Sequence, residues 1–399
     1  MKRIRAFIIG VCATLLFTPN VAYCEDFLEI DPAGYGWAET IPAKYQDDVL
    51  FGGNKIGHED GSKENATVEN VWSFVVTKNN DIYFIDSEQL YSGTGGYSTG
   101  SRDTDFYFTH ENNYPYKDIS LNQRIRKYSS LTKTVSTIAN VNDMTLNYTD
   151  SKSATTIYQN SSTISKKQFL TDFTAYKLVY NPDENKIYLS GKFKKNFGKP
   201  CYRGCLYVIN TLNDEMKVAV ANSSYNFLFG ADEFATVKAG TIIYSRRNAN
   251  SFETYRVKEK GTAVKFTTAT GTCNGLDSLE AVMTQNYLTV MKRNDSSITM
   301  SRYDLRKRTW SIIEVYNGSY DSIVAFGDKF FASSSREIDI IDTDGIIKPF
   351  IKSQEVNLND AFDGGKMELI NVTTTEDVIY YDSSNLCMRI IKKINSKSN

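Results

Sequence analysis

The chain has 399 residues, 41% apolar, 13% aromatic and 23% charged, enough to bury a core and too apolar for a disordered chain. Its 46 Lys and Arg nearly balance 47 Asp and Glu, which excludes an overall basic nucleic-acid binder. Only two His are present, so a three-His metal centre cannot form within one chain.

Lys2, Arg3 and Arg5, the apolar run Ala6–Phe17 and the break at Pro19 have the layout of a secretory signal peptide over residues 1–24. The run is too short to span a bilayer as a mature helix. Ala22-Tyr23-Cys24 carries the small residues of a cleavage site, so the mature chain is expected to begin at Glu25 and to be secreted or periplasmic. The alternative is a lipid anchor at Cys24, but Tyr23 is bulky where a lipobox has a small residue. Processing leaves 43 basic against 47 acidic residues, net −4. No later stretch is long and apolar enough to be a transmembrane span.

Beyond the leader, short β-branched and aromatic runs are separated by Asn, Asp, Gly, Lys and Ser, the pattern of an all-β chain. The runs repeat. Phe74–Gln89 aligns without a gap on Ile370–Asn385, and Leu178–Leu189 is a third strand–turn–strand copy. A second hairpin pattern centres on Tyr128, Ile209, Val257, Tyr303 and Ile341, spaced 81, 48, 46 and 38 residues apart. The last three intervals are those of a four-stranded propeller blade, about 40–50 residues. The C-terminal copy stops one strand short, and Asp48–Phe51 is an unpaired apolar strand before the first full copy. The expected fold is therefore one six-bladed β-propeller over residues 25–399, its last blade closed by an N-terminal strand. Seven blades is the alternative, with residues 140–172 concealing a degenerate one.

Two stretches resemble the NHL-repeat family of six-bladed propellers. The first is Phe51–Gly61 with Asn65, Ala66 and Val68, followed by Asp81–Asp86 and Gln123–Lys127. The second is Asp377–Asp382 with Asn385 and Met388–Lys392. The resemblance implies architecture more than function, because this fold carries many roles. It also implies that the blade carboxylates Asp86 and Asp382 are structural, capping turns.

Three insertions interrupt the blades, at 87–122, 141–173 and 191–204. Connections after the second and fourth strands of an antiparallel blade emerge on one face, so all three are expected side by side. Long connections on a rigid scaffold are the usual place for binding. The first carries Tyr91, Tyr97, Tyr107, Tyr114 and Tyr116 among Gly, Ser and Asn, a composition suited to contact surfaces. The same rings could equally pack down as a lid. The third carries Lys192, Lys194, Lys195 and Arg203 beside aromatics, either a solvated charged loop or a contact for phosphate, nucleic acid or an acidic glycan. These residues are the candidate binding set for a protein or glycan ligand; no nucleic acid is expected.

Cysteine usage fits an oxidising compartment, and Cys201 and Cys205, with Gly204 between them, are expected to close a small disulfide loop. Cys273 and Cys387 fall on distant blades and are expected to stay unpaired. His58 and His110 lie far apart and lack the neighbours of a metal site. Asp339, Asp342 and Asp344 before Gly345 lack the downstream Glu of a calcium loop and read as a hairpin turn. No nucleophile elbow or phosphate loop is present. No cofactor is expected, although abundant Asp and Asn leave room for a divalent metal in the central channel. The leading reading is an exported binding propeller with no catalytic residues assigned. The alternative is a metal-dependent, lactonase-like hydrolase or lyase with its site in that channel.

Overall fold

The computed structural model describes residues 44–394 apart from 54, 89–121, 145, 150–166, 196–200, 222–233, 238–240, 246–250, 258–262, 271–277, 294–296, 318–319, 335–336, 353–354, 359–366 and 368. These residues form six hydrogen-bonded sheets. Sheet I comprises Gly61–Ser62, Val71–Val76, Ile82–Ser87, Gln123–Ser129 and Thr134–Asn140. Sheet II comprises Leu146–Thr149, Lys167–Asn181, Lys186–Lys195, Cys201–Asn210 and Glu215–Ala221. Sheet III comprises Phe234–Val237, Thr241–Ser245, Ser251–Val257 and Ala263–Thr270. Sheet IV comprises Ser278–Met283, Tyr287–Arg293, Ser297–Asp304 and Thr309–Asn317. Sheet V comprises Ser322–Phe326, Lys329–Ser334, Glu337–Asp342 and Ile347–Ile351. Sheet VI comprises Ile370–Val372, Val378–Asp382, Cys387–Lys393, Tyr45–Gly52 and Val356–Leu358.

The arrangement is an all-β propeller, with apolar cores between neighbouring sheets. Phe51, Phe74, Ile82, Phe84 and Tyr128 pack with Ile379, Met388 and Ile390 between sheets VI and I. Tyr83, Ile85 and Ile125 meet Phe173, Leu178 and Tyr207 between sheets I and II. The repeat is written in the backbone too. Tyr128, Ile209, Val257, Tyr303 and Ile341 fall on the next-to-last strands of sheets I to V in chain order. Lys133, Asp214 and Arg308 hold left-handed φ values of 57°, 57° and 59° in the turns after three of those strands.

The expected ring of six, or alternatively seven, four-stranded blades is corrected. Three sheets have five strands and three have four. Residues 140–172 conceal no separate blade among the described residues. Leu146–Thr149 pairs with the start of the long strand Lys167–Asn181 and extends sheet II. The N-terminal strand is not the outer edge of the last sheet. It pairs antiparallel with Cys387–Lys393 on one side and parallel with Val356–Leu358 on the other. A second strand therefore covers the edge that the N-terminal strand would otherwise expose.

Polar contacts fix this closure. Asp47 is fully buried and accepts from Tyr380 Oη at 2.8 Å and from Arg389 Nε at 3.1 Å. Burial pushes its carboxyl above the usual range even though both partners stabilise the anion. Gly52 ends the strand at φ +86°, where an added Cβ would lie 2.7 Å from the Leu386 carbonyl oxygen.

The pair expected to bridge, Cys201 and Cys205, lies on one continuous strand, opposite Lys195 and Gly191. Four residues of extended chain separate their Cα atoms by about 13 Å. A disulfide needs less than about 7 Å. The loop that would have brought them together is the strand itself. Cys387 is buried as a free thiol, and Cys273 lies outside the described residues.

Candidate functional site

In sheet I the connection from Ile82–Ser87 to Gln123–Ser129 has a defined base. The Glu88 amide donates to the Asn122 carbonyl at 3.0 Å, and Asn122 Nδ2 donates to the Glu88 carboxylate at 2.5 Å. Insertion one leaves from this neck. Tyr91, Tyr97, Tyr107, Tyr114 and Tyr116 lie outside the described residues, as does His110.

Beneath the neck is a buried charged cluster. Arg126, with no exposed surface, uses every N–H of its guanidinium. It donates to the Thr67 and Glu59 carbonyls at 2.6 and 2.7 Å, to Asp86 at 2.7 Å and to Asp60 at 3.0 Å and 3.3 Å. Asp86 also accepts from the amides of Glu69 and Asn70 and from His58 Nδ1 at 2.8 Å. The two ring nitrogens each face a carboxylate, Nδ1 that of Asp86 and Nε2 that of Glu69 at 3.4 Å. His58 is thus a tie within the Gly-rich linker. The structural roles expected of Asp86 and Asp382 hold. Asp382 caps its hairpin by accepting from Ser384 N, Asn385 N and Asn385 Nδ2. Asp86 does more than cap a turn, because it also neutralises Arg126. The sequence carried that signal as His58-Glu59-Asp60 in the linker and the Arg-Ile-Arg-Lys strand, but nothing in it paired one with the other.

Sheet II supplies the other wall. Its strands Lys167–Asn181, Lys186–Lys195 and Cys201–Asn210 run 15, 10 and 10 residues, against 6 for the second strand of sheet I. The third insertion, expected as a loop, is largely strand. Lys192, Lys194 and Lys195 continue one strand and pair with Gly204, Tyr202 and Cys201, while Arg203 pairs with Phe193. Basic residues are therefore strung along the strands of a long hairpin. Its root is firm. Phe173 packs on Gly191, where no side chain could be added, and meets Tyr207 edge-on at 5.2 Å. Gln123 exchanges two hydrogen bonds with the Ala175 backbone, at 2.8 and 3.0 Å, and ties this root to the neck of insertion one.

The inner strands carry an ion pair. Lys177 of sheet II reaches Glu280 of sheet IV at 3.2 Å, and Glu280 also accepts from the Ala325 amide of sheet V at 3.2 Å. Among the described residues no group of three or more His, Cys, Asp or Glu is placed to hold a metal ion. The Asp-rich stretch before Gly345 is a hairpin turn as expected: Asp342 Oδ1 accepts from the amides of Asp344 and Ile346, both at 2.9 Å.

No family model matches the sequence, and no curated protein sequence does. Solved structures do. A protein of unknown function from Bacteroides thetaiotaomicron is similar at TM-score 0.52 and 12% identity, over 87% of this chain and 76% of that one. An auxiliary nutrient binding protein from the same organism is similar at TM-score 0.50 and 12% identity, over 91% and 81%. No helix among the described residues is long and apolar enough to cross a membrane. At this identity the likeness speaks to architecture alone: the chain has the β-propeller fold.

Proposed function

We propose that this chain is an exported binding propeller that holds its ligand on the face bearing the 88–122 connection and the long hairpins of sheet II. The observation that carries this reading is the joined root of those segments, where Gln123 locks the neck of insertion one to the strand at Ala175. Two long connections tied at a rigid base form a surface that a ligand can meet without reordering the scaffold. The ligand class that fits best is a glycan or protein contacted by Tyr91, Tyr97, Tyr107, Tyr114 and Tyr116 and by Lys192, Lys194, Lys195 and Arg203. Tyrosines offer stacking area, and the four cations favour acidic groups. A similar propeller described as an auxiliary nutrient binding protein agrees with this reading. Export rests on the leader pattern of residues 1–24.

The test is a chain lacking residues 91–118, compared with the full chain on a panel of neutral and acidic oligosaccharides. The expected result is an unchanged far-ultraviolet spectrum and lost binding. A shortened chain that binds as well as the full one would show that the ligand sits elsewhere.

A further inference from the structure

The face opposite the insertions carries a repeated apolar tip. The strand Gln123–Ser129 begins at the neck of insertion one, so the turn after Ser129 emerges at its other end. The ladders fix equivalent positions from sheet to sheet. Ile82 pairs with Tyr128, Ile187 with Ile209, Leu288 with Tyr303 and Val378 with Ile391. Three residues beyond each of these partners stand Leu131, Leu212, Arg306 and Ile394. The turns of sheets I, II and IV close with the same backbone hydrogen bond. The amides of Lys133, Asp214 and Arg308 donate to the carbonyls of Ser129, Asn210 and Asp304 at 2.9, 2.8 and 2.8 Å. Their tips therefore stand at one level on one face of the ring.

Leu131 is 89% exposed, Leu212 74% and Ile394 41%. Sheets VI, I and II are neighbours, so these three aliphatic tips follow one another along an arc. Single exposed aliphatics are ordinary, but the same position in three successive sheets is a pattern. Polar residues such as Ser and Asn serve turns better, so the fold itself gains nothing from them. Separate tips at one level fit a fluid, flat surface that accepts each where it falls, whereas a protein partner would need a pocket for each. The charges agree with an anionic surface. The acids of these turns are engaged: Asp214 by Lys127 at 3.1 Å, Glu215 by Lys217 at 2.8 Å, and Asp304 by the Arg306 and Lys307 amides, both at 2.8 Å. Lys133, Arg306 and Arg308 stand exposed in the same turns.

We infer that this face docks on a phospholipid bilayer. Leu131, Leu212 and Ile394 enter the boundary between headgroups and acyl chains, and Lys133, Arg306 and Arg308 meet lipid phosphates. Docked in this way, the protein turns its insertion-bearing face away from the membrane and toward solution.

Co-sedimentation with vesicles of phosphatidylcholine, alone or mixed with phosphatidylglycerol, tests this. The chain from Glu25 is used, so that the apolar leader adds no affinity of its own; Ala43–Asn399 is a compact unit without it. Binding should be stronger with phosphatidylglycerol and should persist in part at high salt. Leu131→Ser combined with Leu212→Ser should weaken it by about tenfold, and both sites are exposed turns, so this variant should fold. Ile312→Ser is the control. Ile312 is 53% exposed but sits within the outer strand of sheet IV, opposite Ser301, and its loss should change nothing. Deleting residues 91–118 should leave vesicle binding intact, which separates this face from the ligand face proposed above. Failure to bind either vesicle, binding unchanged in the double variant, or an equal loss with Ile312→Ser would each overturn the assignment. So would a dimer that the double variant dissolves in place of vesicle binding, which would assign the arc to a second copy of this chain.

Discussion

Arg126 shows how one residue can be both the most costly and the best compensated in its sheet. A guanidinium without exposed surface is stable only because five donors meet carbonyl and carboxylate oxygens. Asp86→Asn keeps the shape and removes the charge. It should destabilise the fold by about 3–5 kcal/mol in urea unfolding, the range for breaking one side of a buried ion pair. Cys387 makes a different case. Burial, with Asp382 second, pushes its thiol up to about 11 from 9.0. A folded value above the unfolded one contributes stability that is whole below pH 9 and is lost as pH rises through 11. The wild type should therefore lose about 2–3 kcal/mol more than Cys387→Ala between pH 8 and pH 11. Equal losses in chemical denaturation at the two pH values would show that the thiol is not the titrating group.

At the scale of elements, the hairpin of sheet II depends on a glycine that no pattern rule singles out. An added Cβ at Gly191 would collide with Phe173 and the Thr174 carbonyl. Gly191→Ala should force Phe173 off Tyr207 and cost about 1–3 kcal/mol, read as a lowered urea midpoint with the slope unchanged. The same hairpin shows where sequence reading stopped. Strand alternation and turn residues at Asp344-Gly345 and around Asp382 identified hairpins correctly, because those signals are local. The stretch 191–204 contains Gly, Lys and Pro, which read as loop, yet ladder pairing with Lys167–Asn181 and Cys201–Asn210 keeps 191–195 extended. Pairing across distance overrides local propensity. For the same reason the Cys201 and Cys205 spacing looked like a loop closure and is a strand.

For the whole molecule, the repeat was legible because each blade reuses one pattern, and the ends were legible because each lacked a partner. What the sequence could not show was that Val356–Leu358 returns to cover the N-terminal strand, since three residues carry no pattern. Closure packs an apolar seam between sheets VI and I. Phe51, 1% exposed, is the N-terminal strand's chief contribution there, with its ring 4.9 Å from Tyr128 and 5.4 Å from Phe84. Truncating it leaves a cavity bounded by two sheets that are held in place from both sides, so little collapse can fill it. Phe51→Ala should therefore cost about 3–5 kcal/mol, at the large end for a core aromatic. In a ring that shares its seam load, the loss should appear as one earlier transition by both circular dichroism and tryptophan fluorescence, with Trp72 in sheet I and Trp310 in sheet IV reporting from distant blades. Two separated transitions would mean that sheets VI and I open before the rest, and that the seam closes the ring without coupling it.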